Sequence, residues 1–210
     1  ADLKPDMAII ETGLGGRLDA TNVVAPILSI ITPVSMDHMD WLGPTLAHIA
    51  AEKAGIIKPA VPVVSGLQAA EAESVLKNRG VELAAPIFFL KDSGYSPLSW
   101  DLSGGSLQFP YWSSKALPVP LLGRHQLENG ALALEAARRL RELGWPLHSQ
   151  KVIEGLAAAR WPGRLELVSA KNPWVMLDGA HNQAGIAQLG ENLSKFREEL
   201  DVPGFCLLMA

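Results

Sequence analysis

Glu11-Thr-Gly-Leu-Gly-Gly-Arg-Leu-Asp-Ala-Thr-Asn22, then Asp37-His38, then Gly43-Pro-Thr45 and a segment carrying Glu52-Lys53, decide how this chain is read. The stretch opens after Met7–Ile10, a short apolar run that ends in a carboxylate. A continuous apolar run predicts a strand covered on both faces, as in a parallel sheet. Ligands of open α/β sheets bind beyond the carboxyl ends of strands, so Glu11 is expected at a ligand edge. Ile27–Thr32 reads the same way and places Asp37 and His38 shortly after a second strand.

Gly43-Pro44 predicts a helix start and Gly55 its stop. Leu46, Ile49, Ala50 and Lys53 fall on one stripe of that helix. A lysine on the inward stripe must be paired, neutral or chemically modified. Otherwise it reaches along the apolar surface to water.

The same residues carry a family resemblance. Glu-x-Gly-x-Gly-Gly-Arg-x-Asp-Ala-x-Asn, then Asp-His-x-x-x-Leu-Gly-x-Thr, then Ile-Ala-x-Glu-Lys-x-Gly-Ile-x-Lys resemble folylpolyglutamate synthase, above all the bacterial bifunctional form that is also a dihydrofolate synthase. That family lies in the Mur ligase superfamily. The resemblance implies an α/β protein: a Mur-ligase-type central domain with a mostly parallel sheet, followed by the start of a Rossmann-like C-terminal α/β domain.

The rest of the chain alternates as such a protein should. Val61–Ser65 and Pro86–Leu90 read as strands around a helix from Ala69 to Arg79, closed by Gly80. Trp100–Leu102 and Leu107–Phe109 read as a hairpin turning at Gly104-Gly105. Leu117–Leu122 is extended because its prolines exclude helix. Gly123 opens a long helix to about Leu143, and Ser149 is expected to cap a second one. Trp161-Pro162-Gly163 breaks the pattern, which sets the expected domains at 1–160, the C-terminal part of the central ATP-binding ligase domain, and 161–210, the truncated N-terminal part of the C-terminal domain. Arg164–Ser169 and Trp174–Leu177 read as strands, Asp178-Gly-Ala-His-Asn182 leads into a helix to about Arg197, and Phe205–Met209 reads as a last buried strand holding Cys206. The start at Ala1, which is not a methionine, and the end in an apolar run suggest a fragment.

Composition narrows the function classes. The chain has 210 residues, 48% hydrophobic and 19% charged, with a net charge of −4. That balance suits a globular core and gives no reason to expect nucleic acid or a membrane as partner. A single cysteine excludes an internal disulfide and a thiolate metal site, and is consistent with the cytoplasm.

Each candidate site residue has a functional and a plain reading. Glu11 and His38 offer a carboxylate and an imidazole to a hard divalent cation, held partly by substrate phosphates. Alternatively Glu11 caps a helix and His38 is a loop histidine. The resemblance implies that both ligate magnesium beside ATP, and that Lys53 is carbamylated and helps hold a second magnesium. Only a neutral amine attacks carbon dioxide, and desolvation favours the neutral amine. The resemblance gives Asp19 to pterin binding, against an Asx turn. It gives Asn129 to adenine, as an amide that both donates and accepts, while His125 and Gln126 are read as capping the helix start. Arg164 lies in Pro-Gly-Arg-Leu-Glu, which resembles a family motif and can clamp phosphate, and the resemblance implies that Asp178 and His181 meet the nucleotide's ribose and phosphates, with a plain helix cap as the alternative for Asp178. Glycines after a strand also invite a dinucleotide reading, which fails because no long helix follows before Pro26.

The implied activity is ATP-dependent addition of L-glutamate to dihydropteroate or folates through an acyl phosphate, by a monomer using Mg2+ and ATP. Other readings are a different Mur-type ligase, a non-catalytic nucleotide-binding fragment, and a carbamylated-lysine metallohydrolase, which five scattered histidines with no His-x-His pair do not favour. No Gly-x-x-x-x-Gly-Lys-[Ser/Thr] occurs in the sequence, so the family's phosphate loop is not within it. The expectation for this chain alone is therefore inactivity.

Overall fold

The structure is a computed structural model that describes residues 4–171 and 173–208. Three short strands, β1 (Ser29–Ile31), β2 (Val63–Ser65) and β3 (Ile87–Phe89), form a parallel sheet in that order. Between β1 and β2 run a one-turn helix, α1 (Met39–Leu42), and α2 (Leu46–Ala54); α3 (Ala70–Glu82) joins β2 to β3. Strand, helix, strand in alternation is what a parallel sheet requires, because neighbouring parallel strands need a crossover.

By contacts the chain forms two compact units. The first comprises the residues up to Val63 with Gln68–Ile87, and the second Val64–Leu67 with the residues from Phe88 onward. In the first, Ile49, Ala50 and Ala54 of α2 and Ala72 and Leu76 of α3 are buried, and the two helices pack together. Thr45 caps α2 by accepting the His48 N–H, so Pro44 precedes the cap and does not lie in the first turn. Gly80 does not end α3. It is buried inside the helix, where a Cβ would lie 2.7 Å from Ile87 Cδ1, so glycine is needed there for close packing.

The second unit holds an antiparallel sheet of β4 (Ser96–Asp101), β5 (Gly104–Gln108) and β6 (Leu117–Val119). Leu102 and Ser103 make the hairpin turn; Asp101 already pairs with Gly104, so the two glycines start β5 instead of turning it. Cβ atoms there would meet Val119 O at 2.6 Å and Leu127 Cδ2 at 2.7 Å, which is why the strand carries glycine. The long helix α4 (Arg124–Glu142) lies against this sheet and is followed by α5 (Ser149–Ala157), whose cap position is His148, one residue before the expected Ser149. A two-stranded sheet, β7 (Glu166–Ala170) with β8 (Trp174–Leu177), precedes α6 (Gln183–Leu200). Leu122, Leu165 and Phe196 form a buried cluster joined by Trp100, Leu102 and Leu167. The Trp161–Gly163 turn thus lies within the second unit.

Two expected strands are absent. Met7–Ile10 is coil and exposed, with Ile9 at 94% exposure, and residues 205–208 are coil as well. Cys206 is exposed, contrary to expectation; Met209 lies outside the described residues. An apolar run becomes a strand only when neighbouring backbone takes its hydrogen bonds, and no described strand pairs with either run. Among the described residues no helix is long and apolar enough to cross a membrane.

Candidate active site

The glycine-rich stretch is a loop folded on α2. Its backbone is tied down by one carboxylate. Asp19 Oδ2 accepts the Gly13 and Leu14 N–H groups at 2.8 and 3.0 Å, and Oδ1 accepts the Thr21 N–H at 2.9 Å and hydroxyl at 2.5 Å. It also caps the short 3₁₀ turn Ala20–Val23. The Thr21 hydroxyl first, and then these backbone donors, hold its pKa down at about 2. The Asx-turn reading of Asp19 is therefore realised, with its carboxylate turned into the loop.

The loop then clasps the helix. Arg17 N–H donates to Glu52 O at 2.8 Å, and its guanidinium makes a two-pronged pair with the Glu52 carboxylate, Nη2 to Oε1 at 2.9 Å and Nε to Oε2 at 3.2 Å. Asn22 donates its amide to Arg17 O and Gly55 O, and Lys58 Nζ donates to Asn22 O at 2.8 Å. The approach is close enough that a Cβ on Gly55 would sit 2.3 Å from Arg17 Cα, and one on Gly16 2.8 Å from Ile56 Cγ2. The two distant sequence motifs are thus two halves of one contact.

That contact builds one wall of a cavity of about 170 Å³, lined by Thr12–Gly15, Pro33, Ser35, Asp37, His38, Leu42, Ile49 and Lys53. Nucleotide-sized pockets run to about 300–1,000 Å³. This one suits an ion with its water or a phosphoryl group, given about 30 Å³ per water. Lys53 is half-buried, and its ammonium makes no hydrogen bond or ion pair with a described residue. His38 stands in the left-handed region (φ 51°) at the start of α1, its N–H donating to Asp37 Oδ1 at 2.8 Å and its Nε2 3.7 Å from Asp37 Oδ2. Strained backbone at a cavity mouth is a mark of a functional position. Glu11 is exposed, immediately before Thr12, and caps no described helix. Sequence reasoning passed over Asp37 as a lining carboxylate, although it stands beside His38 in the same motif.

Carboxylate and imidazole donors around a small polar cavity fit a hard cation that also holds phosphate oxygens. An unpartnered, half-buried amine beside them fits a lysine open to carbamylation.

The nucleotide candidates all lie in the second unit. Asp178 Oδ2 accepts the Leu165 N–H at 2.9 Å and Oδ1 the Ala180 N–H at 2.8 Å. It is not the helix cap, because Asn182 caps α6. Its bond to Leu165 holds a buried leucine at φ 47°, just after Arg164. The Arg164 guanidinium lies against Gly179, where a Cβ would come within 2.8 Å of it, and lines a second cavity of about 270 Å³ with Leu122, Arg160 and Trp161. His181 Nδ1–H donates to Gly179 O at 2.9 Å, leaving Nε2 without that bond. Arg164, Asp178 and His181 therefore converge on one turn. Asn129 is exposed on the first turns of α4. Neither His125 nor Gln126 caps that helix; Gly123 occupies the cap position with no side-chain bond, which corrects the expected role of His125.

Comparison with known proteins follows the same lines. No family model matches the chain. Its parallel α/β fold is that of the Mur-type ligases, with structural matches to folylpolyglutamate synthase. A complex of that enzyme with AMPPCP and folate superimposes with TM-score 0.79 and 35% identity over 88% of this chain and 46% of the other. The Mycobacterium tuberculosis enzyme bound to ADP and AMPPCP gives TM-score 0.75 and 36% identity over 88% and 43%. The chain is homologous to the folylpolyglutamate and dihydrofolate synthases. It is 41% identical to the Bacillus subtilis dihydrofolate synthase/folylpolyglutamate synthase over 91% of this chain and 45% of that protein. Against the Lacticaseibacillus casei folylpolyglutamate synthase it is 39% identical over 86% and 43%. The chain thus spans about half the length of the curated relatives it matches.

Proposed function

We propose that this chain is the central portion of an ATP-dependent carboxylate–amine ligase that adds L-glutamate to dihydropteroate or folates. The observation that carries the reading is the joining of His38 and Lys53 on one small cavity walled by the glycine-rich loop. ATP phosphorylates the substrate carboxylate, the glutamate amine attacks the acyl phosphate, and amide, ADP and phosphate leave. Magnesium held by Glu11, His38 and carbamylated Lys53 would supply charge neutralisation at the phosphates. The loop amides of Thr12–Gly15 shape the cavity wall, and Asp19 serves the pterin side by fixing that loop. Arg164 offers phosphate a guanidinium with no hydrogen bond or ion pair among the described residues, Asp178 and His181 flank it for ribose and phosphate, and Asn129 meets adenine. We retain domains 1–160 and 161–210 for the whole enzyme, supported by the change from long helices to the β7–β8 hairpin after Trp161. A cytoplasmic monomer completes the proposal, in keeping with a lone free cysteine.

Lys53 provides the test, in the complete ligase. Lys53→Ala should lower turnover about 10–100-fold or more, the usual scale for losing a metal-site support. Lys53→Glu should recover part of it. Wild-type enzyme degassed at mildly acidic pH should lose activity and regain it with bicarbonate, while Lys53→Glu stays indifferent. A wild type indifferent to bicarbonate, with density at Lys53 ending in a free amine in an ATP-bound crystal, would overturn the carbamate.

A further inference from the structure

An exposed asparagine on a helix can turn its amide over at little cost, and the two orientations present donor and acceptor in opposite order. Asn129 is not free to do so. Its Nδ2 donates to Gln126 Oε1 at 3.1 Å, one helical turn back. Gln126 is buried, at 6% exposure, and its Nε2 lies 3.1 Å from His125 Nε2. An amide nitrogen only donates. The ring nitrogen must therefore be the acceptor, which puts the proton of a neutral imidazole on Nδ1. That Nδ1 is buried and has no hydrogen-bond partner among the described residues.

The chain from imidazole to Gln126 to Asn129 runs in one direction only while the ring is neutral. An imidazolium would donate to Gln126, turn its amide over, and draw the Asn129 oxygen inward. Burial lowers the pKa of His125; Asp178 and Glu191 oppose the shift and Arg164 adds to it. In the neutral arrangement Asn129 presents Oδ1 and its second N–H outward. That pair matches adenine, which offers N6–H2 as donor and N7 as acceptor. Guanine offers two acceptors, O6 and N7, on the same edge, and O6 would face the Asn129 oxygen.

We propose that His125 and Gln126 are positioning residues that fix the order in which Asn129 presents its amide, and so set a preference for adenine over guanine nucleotides. The proposal rests on the reading that Asn129 meets the base. In the complete ligase, kcat/KM is measured with ATP and with GTP for Asn129→Ala, Gln126→Met, His125→Phe and His125→Gln. Gln126→Met and His125→Phe keep side-chain bulk and remove the relay. Each should raise KM for ATP, lower the ATP/GTP ratio about tenfold, the scale of one two-point base contact, and leave kcat at saturating ATP nearly unchanged. His125→Gln restores an acceptor where Nε2 stood and should keep the ratio. A purely structural role would lower thermal stability and kcat together without moving the ratio, and that result overturns the proposal. A ratio lost in Asn129→Ala but kept in both relay variants overturns it too, leaving the adenine reading intact. A ratio unchanged in Asn129→Ala overturns the adenine reading and the relay with it. Should Gln126→Met fail to fold, His125→Phe against His125→Gln decides.

Discussion

At the residue scale, Asp19 shows how one carboxylate organises a loop. It accepts four hydrogen bonds from Gly13, Leu14 and Thr21, and the folded state holds its pKa at about 2. The unfolded value is about 3.9. The folded value is the lower, so this contribution to stability is complete above about pH 4 and is lost as pH falls towards 2. Amide exchange over residues 13–21 should therefore accelerate between those values in the wild type. Asp19→Asn should show fast exchange already at neutral pH and no acid step. Slow exchange in that variant at pH 7 would mean that the loop is held by something else. Gly55 makes a second case. Its φ of −61° is helical, so glycine is not there for a left-handed turn. It is there because Arg17 backbone occupies the space of a Cβ. Gly55→Ala should cost about 1–3 kcal/mol, the range for forcing extra volume into packed structure, read as a drop in denaturation midpoint.

At the element scale, the clasp between loop and α2 carries Lys53 to its cavity. The Arg17–Glu52 pair is partly exposed, with side-chain exposures of 56% and 24%, so its net contribution is small, about 0.5 kcal/mol. Its value is geometric, since two-pronged pairing fixes orientation. Reversing either charge should loosen residues 12–24 in hydrogen exchange, and the double reversal Arg17→Glu with Glu52→Arg should restore much of the protection. Additive effects in the double-mutant cycle would show that the pair is not coupled. The Gly55 carbonyl bond from Asn22, reinforced by Lys58, keeps part of the clasp in every variant.

At the scale of the whole molecule, the chain matches its relatives over nine-tenths of its own length but less than half of theirs. Its sequence holds no phosphate-loop pattern to cradle ATP. The 210-residue chain should therefore show no ATP-dependent glutamate ligation at high protein concentration. Formation of ADP coupled to a glutamylated pterin would refute this. Nucleotide binding by the chain alone, seen as thermal stabilisation without turnover, would fit the residues gathered around Arg164 and Asp178.

Sequence alone determined the alternation of strands and helices, because periodicity and glycine–proline punctuation are local. Two long spaced motifs also pointed to the folylpolyglutamate and dihydrofolate synthases, to which the chain is homologous. Tertiary structure decided what those residues do to one another. Arg17 and Glu52, or Asn22 and Gly55, are over thirty positions apart, and nothing in the sequence says that they bond. The glycines at 55, 80 and 105 read as stops and turns but serve close packing, a property of the neighbour and not of the glycine, whereas Gly104 needs glycine for both its neighbour and its φ of 121°. Met7–Ile10 and Phe205–Leu208 have the composition of strands and lack them, because a strand exists only through a partner's backbone. His125 looked like a cap and instead sets its Nε2 3.1 Å from the Gln126 amide, with Nδ1 buried and unpartnered among the described residues, because its role depends on which groups folding brings to its two nitrogens.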